Sequence, residues 1–100
     1  MQTVTICGSM RFTEQMKAIA LNLQRTHSFN VIQCVYNDDN LPLTQEEIHK
    51  MGLAHYKKID LCDAIYVVDI NAYIGESVKN EILYAKKLGK RIIYHSTFQF

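Results

Sequence analysis

Short β-branched runs alternate along this chain with stretches in which apolar residues recur every three or four positions. Val4-Thr5-Ile6-Cys7 is a β-prone run that stops at Gly8, and Phe12, Met16, Ile19, Ala20 and Leu23 follow at helical spacing. The pattern predicts a strand, a tight glycine turn and an amphipathic helix from about Thr13 to Arg25. Phe29 to Tyr36 is rich in β-branched and aromatic residues and reads as a second strand, closed by the turn-forming Asn37-Asp38-Asp39-Asn40 and by Pro42. Thr44-Gln45-Glu46-Glu47 matches a capping box, in which the threonine hydroxyl accepts from the third helical amide and the glutamate reaches back. The helix starting there carries an apolar stripe of Ile48, Met51, Ile59 and Cys62, with Gly52 and His55 on the same stripe.

Ala64 to Asp69 is an uninterrupted strand that suits the middle of a sheet. Gly75-Glu76-Ser77 opens a third helix, with Ser77 as the expected N-cap, Val78, Ile82, Ala85 and Leu88 as its buried face and Gly89 as its stop. Arg91 to Tyr94 supplies a last strand. The order βαβαβαβ predicts one domain over residues 1–100. Its fold class is α/β: a doubly wound (flavodoxin-like or Rossmann-like) parallel sheet of four strands, order 2-1-3-4, with three helices. Ligands of such sheets bind outside the carboxyl ends of the strands where the order reverses, here between strands 1 and 3. The loops after Cys7 and Asp69 should therefore share one crevice, faced by Ser9, Arg11, Ser77 and Glu81.

A content of 48% hydrophobic and 21% charged residues with a net charge of +1 lacks the basic excess that neutralising many duplex phosphates requires. A nucleic-acid duplex is discounted as partner on that ground. A chain of this length buries only about 60–70% of its unfolded surface, which makes self-association a way to hide more. Cys7, Cys34 and Cys62 are odd in number, have no C-x-x-C spacing and sit in or beside apolar runs, so they read as reduced core thiols. With no leader-like segment and no apolar run of about 18 residues, a cytoplasmic protein without membrane contact is expected.

Gly8-Ser9-Met10-Arg11 follows a buried strand directly. Its exposed amides, serine hydroxyl and guanidinium form a set that holds an anion, although a plain βα turn with a solvated arginine uses the same residues. Gly75 and Ser77 bring unpaired amides and the positive end of a helix dipole to the same crevice, with simple capping as the alternative. Glu81 falls on or beside the buried stripe of its helix. A carboxylate there is either paired with a cation, Arg11 being the candidate, or kept for chemistry. His55 is a satisfied core histidine or a site residue, and Asp69, at the carboxyl end of strand 3, is the aspartate best placed to touch a sugar hydroxyl. His27, His49 and His95 lack metal-ligand spacing and the cysteines do not join them, so neither metal nor cofactor is expected.

Three stretches resemble the nucleoside 2-deoxyribosyltransferase and 2'-deoxynucleoside 5'-phosphate N-hydrolase superfamily: Thr5 to Arg11, Lys58 to Val68, and Gly75 to Ala85 followed by Leu88-Gly89-Lys90. The most specific piece is Glu81-Ile82-Leu83-Tyr84-Ala85 with Gly89-Lys90 behind it, similar to the family segment that carries the nucleophile. The resemblance implies that Glu81 attacks the anomeric carbon of a nucleoside sugar, expels the base and is released by water or a second base. It implies a catalytic role for His55, which falls where the family carries an aspartate serving the leaving base or a sugar hydroxyl. Thr5 stands where many members have a tyrosine. The substrate would be bound by Gly8, Ser9, Met10, Arg11, Asp69, Gly75 and Ser77, with Ser9, Arg11 and Ser77 on a 5'-phosphate. Family sites lie at dimer interfaces, which implies a homodimer in which the partner completes each pocket. From a different class, a non-catalytic nucleotide-binding sensor or accessory module would use the same crevice and the same residues.

Overall fold

The computed structural model describes residues 1–99. Strands and helices alternate as β1 (Thr3–Cys7), α1 (Thr13–Thr26), β2 (Asn30–Ile32), α2 (Gln45–Asp60), β3 (Ala64–Val67), α3 (Glu76–Lys87) and β4 (Arg91–Tyr94). Every pairing is parallel and the order is β2-β1-β3-β4, so the doubly wound sheet expected from the periodicities is the fold. β1 and β3 are central, and strand alternation divides their side chains between two cores. Val4, Ile6, Ala64, Tyr66 and Val68 pack with Met16, Ile19, Ala20 and Leu23 of α1 on one face. Cys7, Ile65 and Val67 pack with Ile59 of α2 and Val78, Ile82 and Ala85 of α3 on the other. No helix among the described residues is long and apolar enough to cross a membrane.

Four local expectations need correction. The second strand ends at Ile32 instead of running to Tyr36. β1 pairs with it only from Thr3 to Thr5, and beyond that the Cys34 thiol caps the Ile6 carbonyl at 3.6 Å, a carbonyl a longer ladder would have used. The capping box of α2 is present, but only the later part of the stripe it introduces is buried: Ile59 and Cys62 are in the core, whereas Ile48 and Met51 are 49% and 40% exposed and Gly52 is open. A helix of this length spans about 24 Å, whereas strands of four or five residues cover about 13–17 Å. The first half of α2 therefore overhangs the sheet, and only its second half meets the core.

Ser77 is not the N-cap of α3. Gly75 takes that place with extended backbone (φ −73°, ψ 170°), and Ser77 is an exposed first-turn residue. Leu88 is the C-cap and 45% exposed, because the helix closes one residue before it. Gly89 does stop α3, at φ 72°, with its amide on the Lys86 carbonyl and the Lys90 amide on that of Ala85, the two bonds of a Schellman ending. Lys90 Nζ then donates to the Asp60 and Cys62 carbonyls at 3.2 and 2.7 Å, fixing the end of α2 against the start of β4.

Candidate functional site

The site grows from the last two residues of β1 on the α2/α3 face. Thr5 and Cys7 point the same way because strand side chains alternate. The buried Thr5 hydroxyl donates to the Lys58 carbonyl at 2.9 Å, so the strand holds the last turn of α2. His55 lies one turn towards the helix start. The helix runs back along the strand, which carries His55 over Cys7: its Nε2 is 3.4 Å from Cys7 Sγ. From the other side α3 supplies Glu81, between the buried Val78 and Ile82, with Oε1 3.5 Å from His55 Nε2. Cys7 is fully buried, and the His55 and Glu81 side chains are 14% and 15% exposed.

Burial dominates the electrostatics. It pushes the Glu81 carboxyl up to about 7, opposed by a hydrogen bond from the Cys7 thiol. It holds the His55 imidazole down to about 4, helped by the nearby Lys58 charge. The Cys7 thiol is raised well above its ordinary range by burial and then by the Glu81 charge, so it is not a thiolate nucleophile at neutral pH. Glu81 Oε1 makes no hydrogen bond among the described residues. At 3.5 Å, with the imidazole neutral, the His55–Glu81 contact is a juxtaposition of two uncharged-leaning groups and not an ion pair.

Beside this cluster the β1 loop meets the β3 loop. Gly8 leaves no room for a side chain: a Cβ there would sit 2.6 Å from Met16 Sδ and 3.1 Å from Val68 Cβ. Ser9 caps a short 3-10 turn, Met10–Phe12, its hydroxyl accepting from the Arg11 amide at 3.4 Å, and Met10 is half exposed. Arg11 does not pair with Glu81. The turn sends its guanidinium outwards over the Tyr73 ring, 3.8 Å from the centroid, while Phe12 meets the edge of the same ring. Asn71 and Ala72 bring Tyr73 there through left-handed backbone, φ 55° and 59°, a conformation that costs an alanine about 1–2 kcal/mol. Gly75, Glu76 and Ser77 follow, with the free first-turn amides of α3.

Asp69 stands apart from this crevice chemistry. It is buried and accepts from the Ser96 amide at 2.8 Å and the Ser96 hydroxyl at 2.6 Å, which ties the turn after β4 to the end of β3. The geometry thus brings together Cys7, His55 and Glu81, and next to them Gly8, Ser9, Met10 and Arg11 with the Gly75–Ser77 loop. It adds two residues that the sequence reading left out. Cys7 is the buried core thiol its sequence context predicts, and it also shares strand parity with Thr5 and faces the helix that bears Glu81. No cysteine has metal-ligand spacing to His27, His49 or His95 in the sequence, whereas the contact made is with His55. Tyr73 carries no motif that marks it in the sequence; its place beneath the guanidinium follows from the left-handed turn at Asn71 and Ala72. Cys7, His55 and Glu81 offer a sulfur, a nitrogen and an oxygen within 4.8 Å of one another, a donor set that suits a metal ion. Comparison with protein-family models and with curated proteins finds no match to this chain.

Proposed function

We propose that this domain cleaves or transfers the N-glycosidic bond of a nucleoside or nucleoside 5'-monophosphate, with Glu81 as nucleophile. The observation that supports it is the state of the Glu81 carboxylate. It is largely withdrawn from water, has no lysine or arginine partner among the described residues, keeps one oxygen without a hydrogen bond, and lies at the carboxyl end of β1 where the sheet order reverses. A structural carboxylate in that setting would be paired. One kept free is available to form a bond.

In this reading an ionised Glu81 oxygen attacks C1' of the sugar as the C1'–N bond breaks and the base leaves with the bonding electrons. Water then attacks C1', the ester bond returns its electrons to the carboxylate, and the proton that water loses balances the one the base gains. A second base in place of water gives transfer. Negative charge beside an oxocarbenium-like transition state is the electrostatic benefit, as in retaining glycosidases. Neutral His55, beside Oε1, serves the leaving base or a sugar hydroxyl by hydrogen bonding. Ser9, the Arg11 guanidinium and the first-turn amides of α3 hold the 5'-phosphate. The working unit is a homodimer, in which a second copy covers the exposed apolar side chains of α2 and α3, Leu53 and Leu83 among them.

The test is a panel of nucleosides and nucleoside monophosphates incubated with wild-type and Glu81→Gln protein, read by free base. Base release that needs Glu81 supports the reading. Tight nucleotide binding without release of any base replaces it with the non-catalytic sensor.

A further inference from the structure

We infer that Cys7, His55 and Glu81 form a three-ligand site for zinc, one donor arriving from each of β1, α2 and α3. Zinc is bound tetrahedrally by just these donor types, and bond lengths of about 2.3 Å to sulfur and about 2.0–2.1 Å to nitrogen and oxygen put neighbouring donors about 3.3–3.6 Å apart. Two of the three edges are at that length, 3.4 Å for sulfur to nitrogen and 3.5 Å for nitrogen to oxygen, and the sulfur and oxygen, within 4.8 Å of each other, would close in on the ion. As a metal-free contact the second distance is too long for a hydrogen bond, and it leaves Oε1 buried without one. As the edge of a coordination tetrahedron it is ordinary.

Chemistry selects the ion. A thiolate with an imidazole favours zinc over calcium or magnesium, which take oxygen ligands. Binding requires the Cys7 proton to leave, so uptake of the ion releases it to solvent. Three protein ligands leave a fourth coordination position for water or another ligand. The inference uses residues of the proposed active site but does not rest on the glycosidase reading. A zinc ion takes up the Glu81 oxygen that would attack the sugar, so the loaded and the nucleophilic states exclude one another and zinc inhibits base release.

The experiment is titration of the chelator-treated protein with Co²⁺, followed by displacement with Zn²⁺. The expected result is one equivalent of cobalt with a thiolate-to-cobalt charge-transfer band and the strong visible bands of four-coordinate cobalt, all abolished by zinc. Cys7→Ser should remove the charge-transfer band while Cys34→Ser keeps it. His55→Gln should weaken binding by more than the roughly 10–100-fold that loss of a supporting hydrogen bond costs, which decides the matter even if Cys7→Ser does not fold. A folded wild-type protein without the band overturns the site, as does a band lost in Cys34→Ser or Cys62→Ser but kept in Cys7→Ser, or unchanged affinity in His55→Gln. Lack of base release from metal-free protein counts against the nucleophile alone, because the cobalt spectrum does not depend on it.

Discussion

His55 Nε2 and Glu81 Oε1 face each other across 3.5 Å of protein interior without a hydrogen bond between them, each held towards its uncharged form by burial. Their effects on stability have opposite signs. Glu81 is raised from 4.5 to about 7, so its contribution is fully present below pH 4.5 and is lost as pH rises through 7. His55 is lowered from 6.5 to about 4, so its contribution is present above pH 6.5 and is lost as pH falls through 4. Each swing is worth about 3 kcal/mol. Between pH 4.5 and 6.5 the two slopes cancel. Urea unfolding of wild-type protein should therefore give a nearly flat stability across that window, rising with pH in Glu81→Gln and falling in His55→Gln. Parallel slopes in the two variants would show that the groups do not titrate as a neutral pair.

The same glutamate separates catalysis from stability. Glu81→Gln keeps the shape of the side chain and discards the charge that the proposed reaction uses to form its bond, so base release should drop by several orders of magnitude. Above pH 7 the variant no longer buries a carboxylate, and its thermal midpoint should exceed that of wild type. A glutamate that merely held the fold together would give the opposite shift in the melt.

Arg11 is placed for an anion by its stack on Tyr73 and has no carboxylate partner among the described residues. Arg11→Ala should weaken nucleoside monophosphate binding by about 1.5–3 kcal/mol, the range for a charge-assisted hydrogen bond, with a smaller effect on the free nucleoside. Tyr73→Ala, which frees the guanidinium without removing it, should give a partial loss. Equal losses for nucleotide and nucleoside in calorimetry would take the phosphate away from Arg11.

The sheet order and the boundaries of α1 and β4 were legible because the apolar positions of the predicted α1 stripe and of β4 have partners inside the chain. The errors fall where tertiary context overrides local pattern. The stripe on α2 is genuine as a pattern, but sequence periodicity cannot tell that the strands are too short to reach Ile48 and Met51. Ser77 looks like a cap because serine favours that position, yet Gly75 reaches the required extended backbone first. At the site, Glu81 was legible from its place on a buried stripe. His55 was legible as a candidate too, but Cys7 was not: a strand cysteine and a histidine 48 residues on come together only through the parallel crossover and the Thr5 hydrogen bond to α2.

Gly8 links the fold to the site, since it ends β1 beside Cys7 and begins the Ser9-Arg11 turn. In Gly8→Ala the new methyl group meets Met16 Sδ, which is fully buried, and Val68 Cβ, which belongs to the backbone-bound part of its side chain. Neither moves freely, so destabilisation by about 1–3 kcal/mol is expected in chemical denaturation. A neutral substitution would mean that Met16 has an unused rotamer and that the turn is less confined than its contacts imply.

The overhang of α2 leads to a prediction about assembly. Ile48, Met51 and Leu53 are 49%, 40% and 55% exposed, and Leu83 on α3 is 65% exposed. Leu53 and Leu83 line one groove of about 460 Å³ with Tyr56, Asn80, Tyr84 and Lys87. In the proposed homodimer a second copy covers these large side chains left in water on adjacent helices, and burying each leucine is worth about 1.5–3 kcal/mol. Sedimentation at micromolar concentration should show a species of twice the 11.6 kDa chain mass. Leu53→Lys and Leu83→Lys should each raise the dimer dissociation constant by roughly 10–100-fold while leaving the far-ultraviolet circular dichroism unchanged, since neither residue belongs to a core of this chain. A wild-type protein that stays monomeric at tens of micromolar and still binds nucleotide would remove the dimer from the functional reading.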